Sequence, residues 1–363
     1  MKILLLSAYD AVSHRYWRKG LTEQFPEHDW TVLTLPDRYF NWRLRGNSLT
    51  WAMGHREILQ QPWDRIIATS MVDLSSLRGM VPSLGAVPTI VYFHENQFAY
   101  PRSGHQTFSP VEPQLQTIYT ALCGDSLVFN TEYNRKTFFE GASALLKKLP
   151  DHVPAGIVDT LSARSSVIPV PLAEDIPNSE PLKQNGEHDS PFLISWAARW
   201  EYDKGPDRLL NILQKLEASE LDYQLCILGQ SFRKSPAEFT TIQNEFGHRL
   251  RKFGFAESRQ EYLDWLLQSD ILLSTSRHEF QGISVLEGVA CGAVPVLPNE
   301  QSYPFMFDQN YLYSCEDDAV AMILRCSEDK QRGTLQAPGV EEFCWEVAGP
   351  RYKAVIESPC HDE

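Results

Sequence analysis

Short apolar runs alternate with longer stretches of helical period along the first 173 residues. Lys2–Ser7, Thr31–Leu35, Arg65–Thr69, Thr89–Phe93, Ser126–Asn130 and Ser166–Val170 predict strands. Ser13–Phe25, Ser48–Gln60, Asp73–Met80, Val111–Cys123 and Thr131–Lys148 predict the helices between them. Strand-helix alternation of this kind implies a parallel sheet covered on both faces. Residues 174–190 are polar, acidic and proline-bearing, with no hydrophobic period, and read as a linker. The alternation restarts over 191–338. Phe192–Ala197, Tyr223–Leu228, Ile271–Ser274 and Val294–Leu297 are the expected strands. Asp207–Ala218, Ala237–Phe246, Glu261–Gln268 and Ile283–Cys291 are the expected helices. In the tail, 339–363, the stretch Val340–Ile356 has helical character and is expected to pack back on the first domain. The fold class is α/β, with two Rossmann-like doubly wound domains facing a central cleft. Ligands in such sheets bind outside the carboxyl ends of the strands.

Length and composition narrow the class. With 363 residues, 43% of them hydrophobic, the chain can build two cores. Seven cysteines, odd in number and without a CxxC pair, suit reduced thiols in a cytoplasmic protein. The run Ile3-Leu4-Leu5-Leu6 is too short for a signal peptide, and no run approaches the roughly 18 apolar residues of a membrane span. A net charge of −14 argues against a broad nucleic-acid-binding surface. Its distribution changes that picture. The first 173 residues carry 16 Lys+Arg against 15 Asp+Glu, the remainder 17 against 32. The near-neutral half is therefore free to present a basic face to a polyanion.

Candidate chemistry falls at strand ends. His278-Glu279-Phe280-Gln281-Gly282-Ile283-Ser284-Val285-Leu286-Glu287 places Glu279 in a strand-to-helix loop and Glu287 more than one turn inside the helix. The N–H groups around Gly282, Ile283 and Ser284 form an anion site, where glycine allows close approach. A carboxylate on each side of a phosphate site suits a nucleotide-sugar, although a helix-entry acid and a solvated helix face have the same pattern. Arg199 and Lys204, in the loop after Phe192–Ala197, are a planar donor fork and a point charge suited to two neighbouring phosphates. The alternative for them is pairing with Glu201, Asp203 or Asp207. His94, with Glu95 and Asn96, opens the loop after Thr89–Phe93. Arg38, Arg43 and Arg45 surround Tyr39, Phe40 and Trp42, a mixture that suits phosphate contacts and base stacking, or else a surface loop with partly buried aromatics.

The pattern Arg-x4-Lys-Gly at 199–205, followed by Glu-x7-Glu at 279–287, resembles the retaining glycosyltransferases of family 4, which have the GT-B fold. That resemblance implies that Arg199 and Lys204 hold the donor diphosphate, that Glu279 contacts the sugar and Glu287 the ribose, and that His94 lies against the transferred sugar. The run His94-Glu95-Asn96-Gln97 with Tyr100-Pro101, together with Tyr303-Pro304, is similar to the tRNA-queuosine mannosyltransferases. They move mannose from GDP-mannose to the cyclopentene-diol of queuosine in the anticodon of aspartate tRNA. The resemblance implies no metal and no cofactor beyond the donor, and it places Ser13, His14, Glu95 and Asn96 on the acceptor side with Arg38, Trp42, Arg43 and Arg45. One departure stands out: the family's Gly-Gly-Ser-His reads Ala11-Val12-Ser13-His14 in this chain, and Val12 resists positive φ. Three other functions fit the same motifs: a family 4 hexosyltransferase with a lipid or saccharide acceptor, a GT-B sugar-nucleotide epimerase or hydrolase, and a non-catalytic nucleotide-sugar-binding module.

Overall fold

The computed structural model describes residues 1–100, 111–149, 151–176, 191–231 and 235–358. From residue 177 onward the expected linker lies outside the described residues, as does Pro101. The chain forms two units. Unit 1 comprises Met1–Pro171 and Trp345–Glu363, and unit 2 comprises Leu172–Cys344.

Unit 1 is built on six parallel strands: β1 Lys2–Ser7, β2 Asp29–Thr34, β3 Arg65–Thr69, β4 Thr89–Phe93, β5 Ser126–Phe129 and β6 Ser165–Val167. Their order is β2-β1-β3-β4-β5-β6. The inner strands β1, β3, β4 and β5 read as largely apolar runs because both faces are buried. Leu4, Leu6, Ile66, Ala68, Val91, Phe93, Leu127 and Phe129 enter one layer. Ile67, Ile90, Tyr92 and Val128 face the other, which is covered by Trp17 and Leu21 of the helix Val12–Gln24 and by Tyr352, Val355 and Ile356 of the helix Trp345–Glu357. The polar atoms of Trp17, Tyr92 and Tyr352 in that second layer are paired, as burial requires. The Trp17 indole donates to the Tyr352 hydroxyl at 3.0 Å, which donates to the Pro169 carbonyl at 3.0 Å, while the Tyr92 hydroxyl donates to the Ile168 carbonyl at 2.9 Å.

Unit 2 holds β7 Phe192–Ala197, β8 Tyr223–Leu228, β9 Leu250–Gly254, β10 Ile271–Leu273, β11 Val294–Pro298 and β12 Leu312–Tyr313, in the order β12-β11-β10-β7-β8-β9. The period-2 alternation of strands sorts its residues cleanly. Phe192, Ile194, Trp196, Leu225, Ile227, Ile271, Leu273 and Val296 enter one layer. Leu193, Ala197, Cys226, Leu228, Leu272 and Leu297 enter the other. This order is the doubly wound one, and it reverses between β7 and β10, so the loops after those two strands open at the switch point.

Several elements differ from the sequence expectation. β9 and β12 are edge strands without an apolar run. The helix Phe40–Gly54 starts eight residues before the expected Ser48, so Trp42, Arg43 and Arg45 stand on a helix. Its faces do not follow hydrophobicity: Arg43, Asn47 and Ser48 are buried, while Trp42, Leu49 and Met53 are exposed. Asn47 explains part of this, donating to the carbonyls of Arg43, Leu44 and Met71 and accepting from the Asp73 N–H. Ile157–Ala163 and Glu316–Arg332 are further helices. The final helix begins at Trp345, after a 3-10 turn at Glu341–Phe343. No described helix is long and apolar enough to cross a membrane.

Candidate active site

In unit 2 the loop after β7 and the loop after β10 are stitched together. The Thr275 hydroxyl accepts from the Trp196 indole at 3.0 Å and donates to the Lys204 carbonyl at 2.8 Å, and the Arg277 N–H donates to the Asp203 carbonyl. Gly205 lies against this seam with φ +65, and a Cβ there would stand 2.1 Å from the Thr275 carbonyl oxygen. It also caps the helix Pro206–Glu217.

Lys204 is buried at the centre. Its Nζ donates to the His278 carbonyl at 2.9 Å and to Glu279 Oε2 at 3.1 Å, with Asp203 Oδ2 at 3.4 Å. Burial pulls its pKa down, but Glu279 and Asp203 outweigh that and hold the ammonium above its ordinary range, with Arg199 near enough to oppose them. The other carboxylate oxygen of Glu279 accepts from the N–H of Gly282 at 3.0 Å and of Phe280 at 3.2 Å. Burial pushes Glu279 upward, yet Lys204 holds it below the usual carboxylate range. A carboxyl depressed in the folded state contributes stability above its unfolded pKa and loses it as pH falls through the folded value. The Tm advantage of the wild type over Glu279→Gln is therefore expected to shrink on acidification below about pH 4, measurable by thermal melts at stepped pH.

Gly282, φ +78, opens the helix Ile283–Ala290. A Cβ on it would meet the Tyr303 ring at 3.1 Å, and the Ser284 hydroxyl ties the helix start to the Ala197 carbonyl at 2.8 Å. The N–H groups of Ile283 and Ser284 have no intrahelical acceptor and, with the helix dipole, are a donor set that could hold an anion. Arg199 is exposed, with Nη1 2.9 Å from Glu201 Oε2. Glu287 is buried: its carboxylate accepts from Arg259 Nη2 at 2.7 Å and from the Tyr262 hydroxyl at 3.0 Å, and burial raises its pKa despite the guanidinium. Arg259 and Tyr262 carry no motif. The sequence signal for them is only their place, one turn apart at the start of the helix Arg259–Gln268.

In unit 1 the chain brings together His14, on the helix after β1, and His94 and Glu95, after β4. The imidazoles stack with centroids 4.1 Å apart, and His14 Nε2 is 3.1 Å from Glu95 Oε2. Burial, then the neighbouring His14, holds His94 well below the ordinary imidazole pKa. Asn96 is committed to the fold: its amide donates to Asn134 and Thr137 and accepts from the N–H of Phe98 and Ala99. Ser13 is exposed on the first turn of its helix. Ala11 is extended, φ −60 and ψ 167, and no positive φ occurs from Ala8 to His14, so the missing glycines leave ordinary backbone. Arg38 is exposed over the Tyr39 ring and Trp42 is half-exposed. Arg43 is buried, with Nε donating to the Pro36 carbonyl, while Arg45 pairs with Asp73 and Glu112. Among the described residues, Glu27, His28 and Glu357 bring three ligand-type atoms within 4.8 Å of one another. Two of the three are exposed acids, a grouping common without a metal.

Two parallel α/β units, with a nucleotide-type switch-point site in the second, define the GT-B glycosyltransferase class. An Anabaena protein solved in complex with UDP-glucose has the same fold at TM-score 0.65, with 13% identity over 99% of this chain and 100% of that one. Residues 2–172 match the family described as tRNA-queuosine alpha-mannosyltransferase N-terminal, and residues 178–329 match glycosyl transferases group 1. The Drosophila melanogaster tRNA-queuosine alpha-mannosyltransferase is 32% identical over 319 residues, 86% of this chain and 83% of its own length. A Mycobacterium tuberculosis GDP-mannose-dependent alpha-(1-6)-phosphatidylinositol dimannoside mannosyltransferase is 24% identical over 286 residues, 74% of this chain and 68% of its own. The chain belongs to the tRNA-queuosine alpha-mannosyltransferase family and is a sugar-transferring enzyme.

Proposed function

We propose that this protein transfers mannose from GDP-mannose to a cyclopentene-diol hydroxyl of queuosine in the anticodon of aspartate tRNA. The observation that carries the reading is the Lys204–Glu279 pair beside the open N-terminus of the helix Ile283–Ala290, in a chain akin over 86% of its length to a tRNA-queuosine mannosyltransferase. GDP as the donor nucleotide is supported by the GDP-mannose dependence of the mycobacterial relative.

The bond from the anomeric carbon to the diphosphate oxygen breaks and one from that carbon to the acceptor oxygen forms. The acceptor proton passes to the departing diphosphate. An α-linked donor giving an α-linked product requires net retention. Arg199, Lys204 and the N–H groups of Ile283 and Ser284 would neutralise the charge growing on that diphosphate. Glu279, fixed by Lys204 and by backbone donors, would accept sugar hydroxyls instead of attacking carbon. Glu287 would reach the ribose from its place beside Arg259 and Tyr262. On unit 1, the exposed Arg38, Trp42 and Arg45 would meet phosphates and unstacked bases, while the buried Arg43 would hold their helix and loop.

The test is mass analysis of nucleosides from queuosine-containing aspartate tRNA incubated with the protein and GDP-mannose. Queuosine gaining one hexose is the expected result. GDP release without that gain would point to a hydrolase, an epimerase or a lipid or saccharide acceptor, and would end the tRNA reading.

A further inference from the structure

Two sequence motifs 80 residues apart meet in unit 1 in an arrangement that neither implies alone. His14 and His94 are 2% and 5% exposed, and their rings lie nearly parallel, 21° apart in plane and 4.1 Å between centroids. Trp17 meets His94 edge-on at 4.9 Å, and Tyr92 lies at 4.7 Å. The loop bearing His94 is held by its backbone. The Asn130 amide donates to the His94 carbonyl and the Ser70 hydroxyl donates to the Glu95 carbonyl. His94 Nε2 and His14 Nδ1 are both buried without a hydrogen-bond partner. Buried polar atoms in that state call for an explanation.

Two imidazolium rings in face-to-face contact repel, so the stack accommodates one positive charge and not two. The asymmetry is Glu95, whose carboxylate touches His14 and not His94. We infer that Glu95 and His14 are positioning residues for His94: Glu95 fixes the His14 ring, and that ring, stacked face to face on His94, disfavours an imidazolium there. The inference rests on the mannosyltransferase reading and on the placement of His94 against the transferred sugar that the family resemblance implies. There the neutral form matters, because glycosyl transfer develops positive charge at the anomeric carbon. An imidazolium beside that carbon would oppose the transition state, whereas a neutral ring adds no opposing charge. His14 and Glu95 thus act through a neighbouring ring.

The other groups around the stack leave this balance alone. Asp10, at the head of the His14 helix, is bound by Arg18 and Arg15. Tyr92 and, behind it, Tyr352 of the final helix are neutral phenols whose pKa values burial raises. Ser70 and Asn130, on the flanking strand ends, do not titrate.

The experiment is a pH titration of the nitrogen-15-labelled histidines by NMR, paired with pH profiles of kcat for hexose transfer, on the full chain and on His14→Phe and Glu95→Gln. His14→Phe keeps an aromatic ring on His94 but removes the charge. In the wild type, His94 is expected to stay neutral well below the ~6.5 of a free imidazole. In His14→Phe its titration and the acid limb of kcat are expected to rise together by about one pH unit or more. In Glu95→Gln the His14 ring loses its anionic anchor and the acid limb is also expected to rise, with the donor KM little changed. A loss of activity with no movement of either titration would mean a merely structural contact and would overturn the inference. A wild-type His94 that charges near neutrality would overturn it too. Movement of the NMR titration without the acid limb would reject the role in transfer and, with it, His94 beside the sugar, while leaving the mannosyltransferase reading intact. If His14→Phe does not fold, Glu95→Gln decides, since it preserves both imidazoles.

Discussion

Lys204→Ala is expected to lower hexose transfer by about 100- to 1,000-fold, the usual cost of removing one pre-set charge from a developing anion. The variant also removes the only charge-assisted donor found on the Glu279 carboxylate among the described residues and a donor to the His278 carbonyl. The sequence alone suggests that the fold would be untouched, but the burial of Lys204 predicts a loss of stability as well, about 1–3 kcal/mol for the acceptors left unpaired. The two effects separate in the double variant Lys204→Met/Glu279→Gln. Replacing both charges with groups of similar shape is expected to restore most of the Tm and none of the transfer. Turnover within a few-fold of wild type in Lys204→Met would remove the ammonium from the mechanism.

Gly205→Val is the second large effect. Its φ of +65 is strained for a β-branched residue, and the added Cβ would sit 2.1 Å from a backbone oxygen, Thr275 O, which no rotamer change can relieve. The expected cost is about 3–5 kcal/mol, a fall on the order of 10 °C in the melting of unit 2. Because the seam it opens also carries the Lys204 carbonyl and Asp203, donor affinity should fall at temperatures where the variant is still folded. A melting curve and a titration with GDP, read together, check both. Unchanged melting would mean that the two loops can part without cost.

The inner parallel strands were legible because burial on both faces leaves few polar positions in them: Phe192–Ala197 and Tyr223–Leu228 match the expected bounds residue for residue. The edges were not. Leu250-Arg251-Lys252-Phe253-Gly254 is partly exposed, as edge strands are, and its charges hide it. The helix Phe40–Gly54 was missed at its start because its buried face holds Arg43, Asn47 and Ser48, so hydrophobic period points the wrong way there. Glu316–Arg332 is different. Its Ala319, Met322, Ile323 and Cys326 form an ordinary apolar stripe behind three first-turn acids, a signal present in the sequence. Of the site, sequence spacing located Arg199, Lys204, Glu279 and Gly282 at the switch point, since loop order follows chain order. It did not reveal that Lys204 bonds Glu279, that Arg259 and Tyr262 occupy the Glu287 carboxylate, or that His14 stacks on His94. Those are long-range pairings that no local pattern encodes.

Unit 1 is made of two separate stretches of chain, and unit 2 of the single stretch between them. On the ribosome this inverts the order of assembly. Residues 172–344 emerge as one uninterrupted piece and can close their own core at once. The amino-terminal half of unit 1 waits for Trp345 and Tyr352, on a helix that follows all of unit 2 in the chain, before the layer around Trp17 and Tyr92 is sealed. Its apolar sheet face thus stays uncovered while the whole of unit 2 is made, which gives a chaperone that long to act on it.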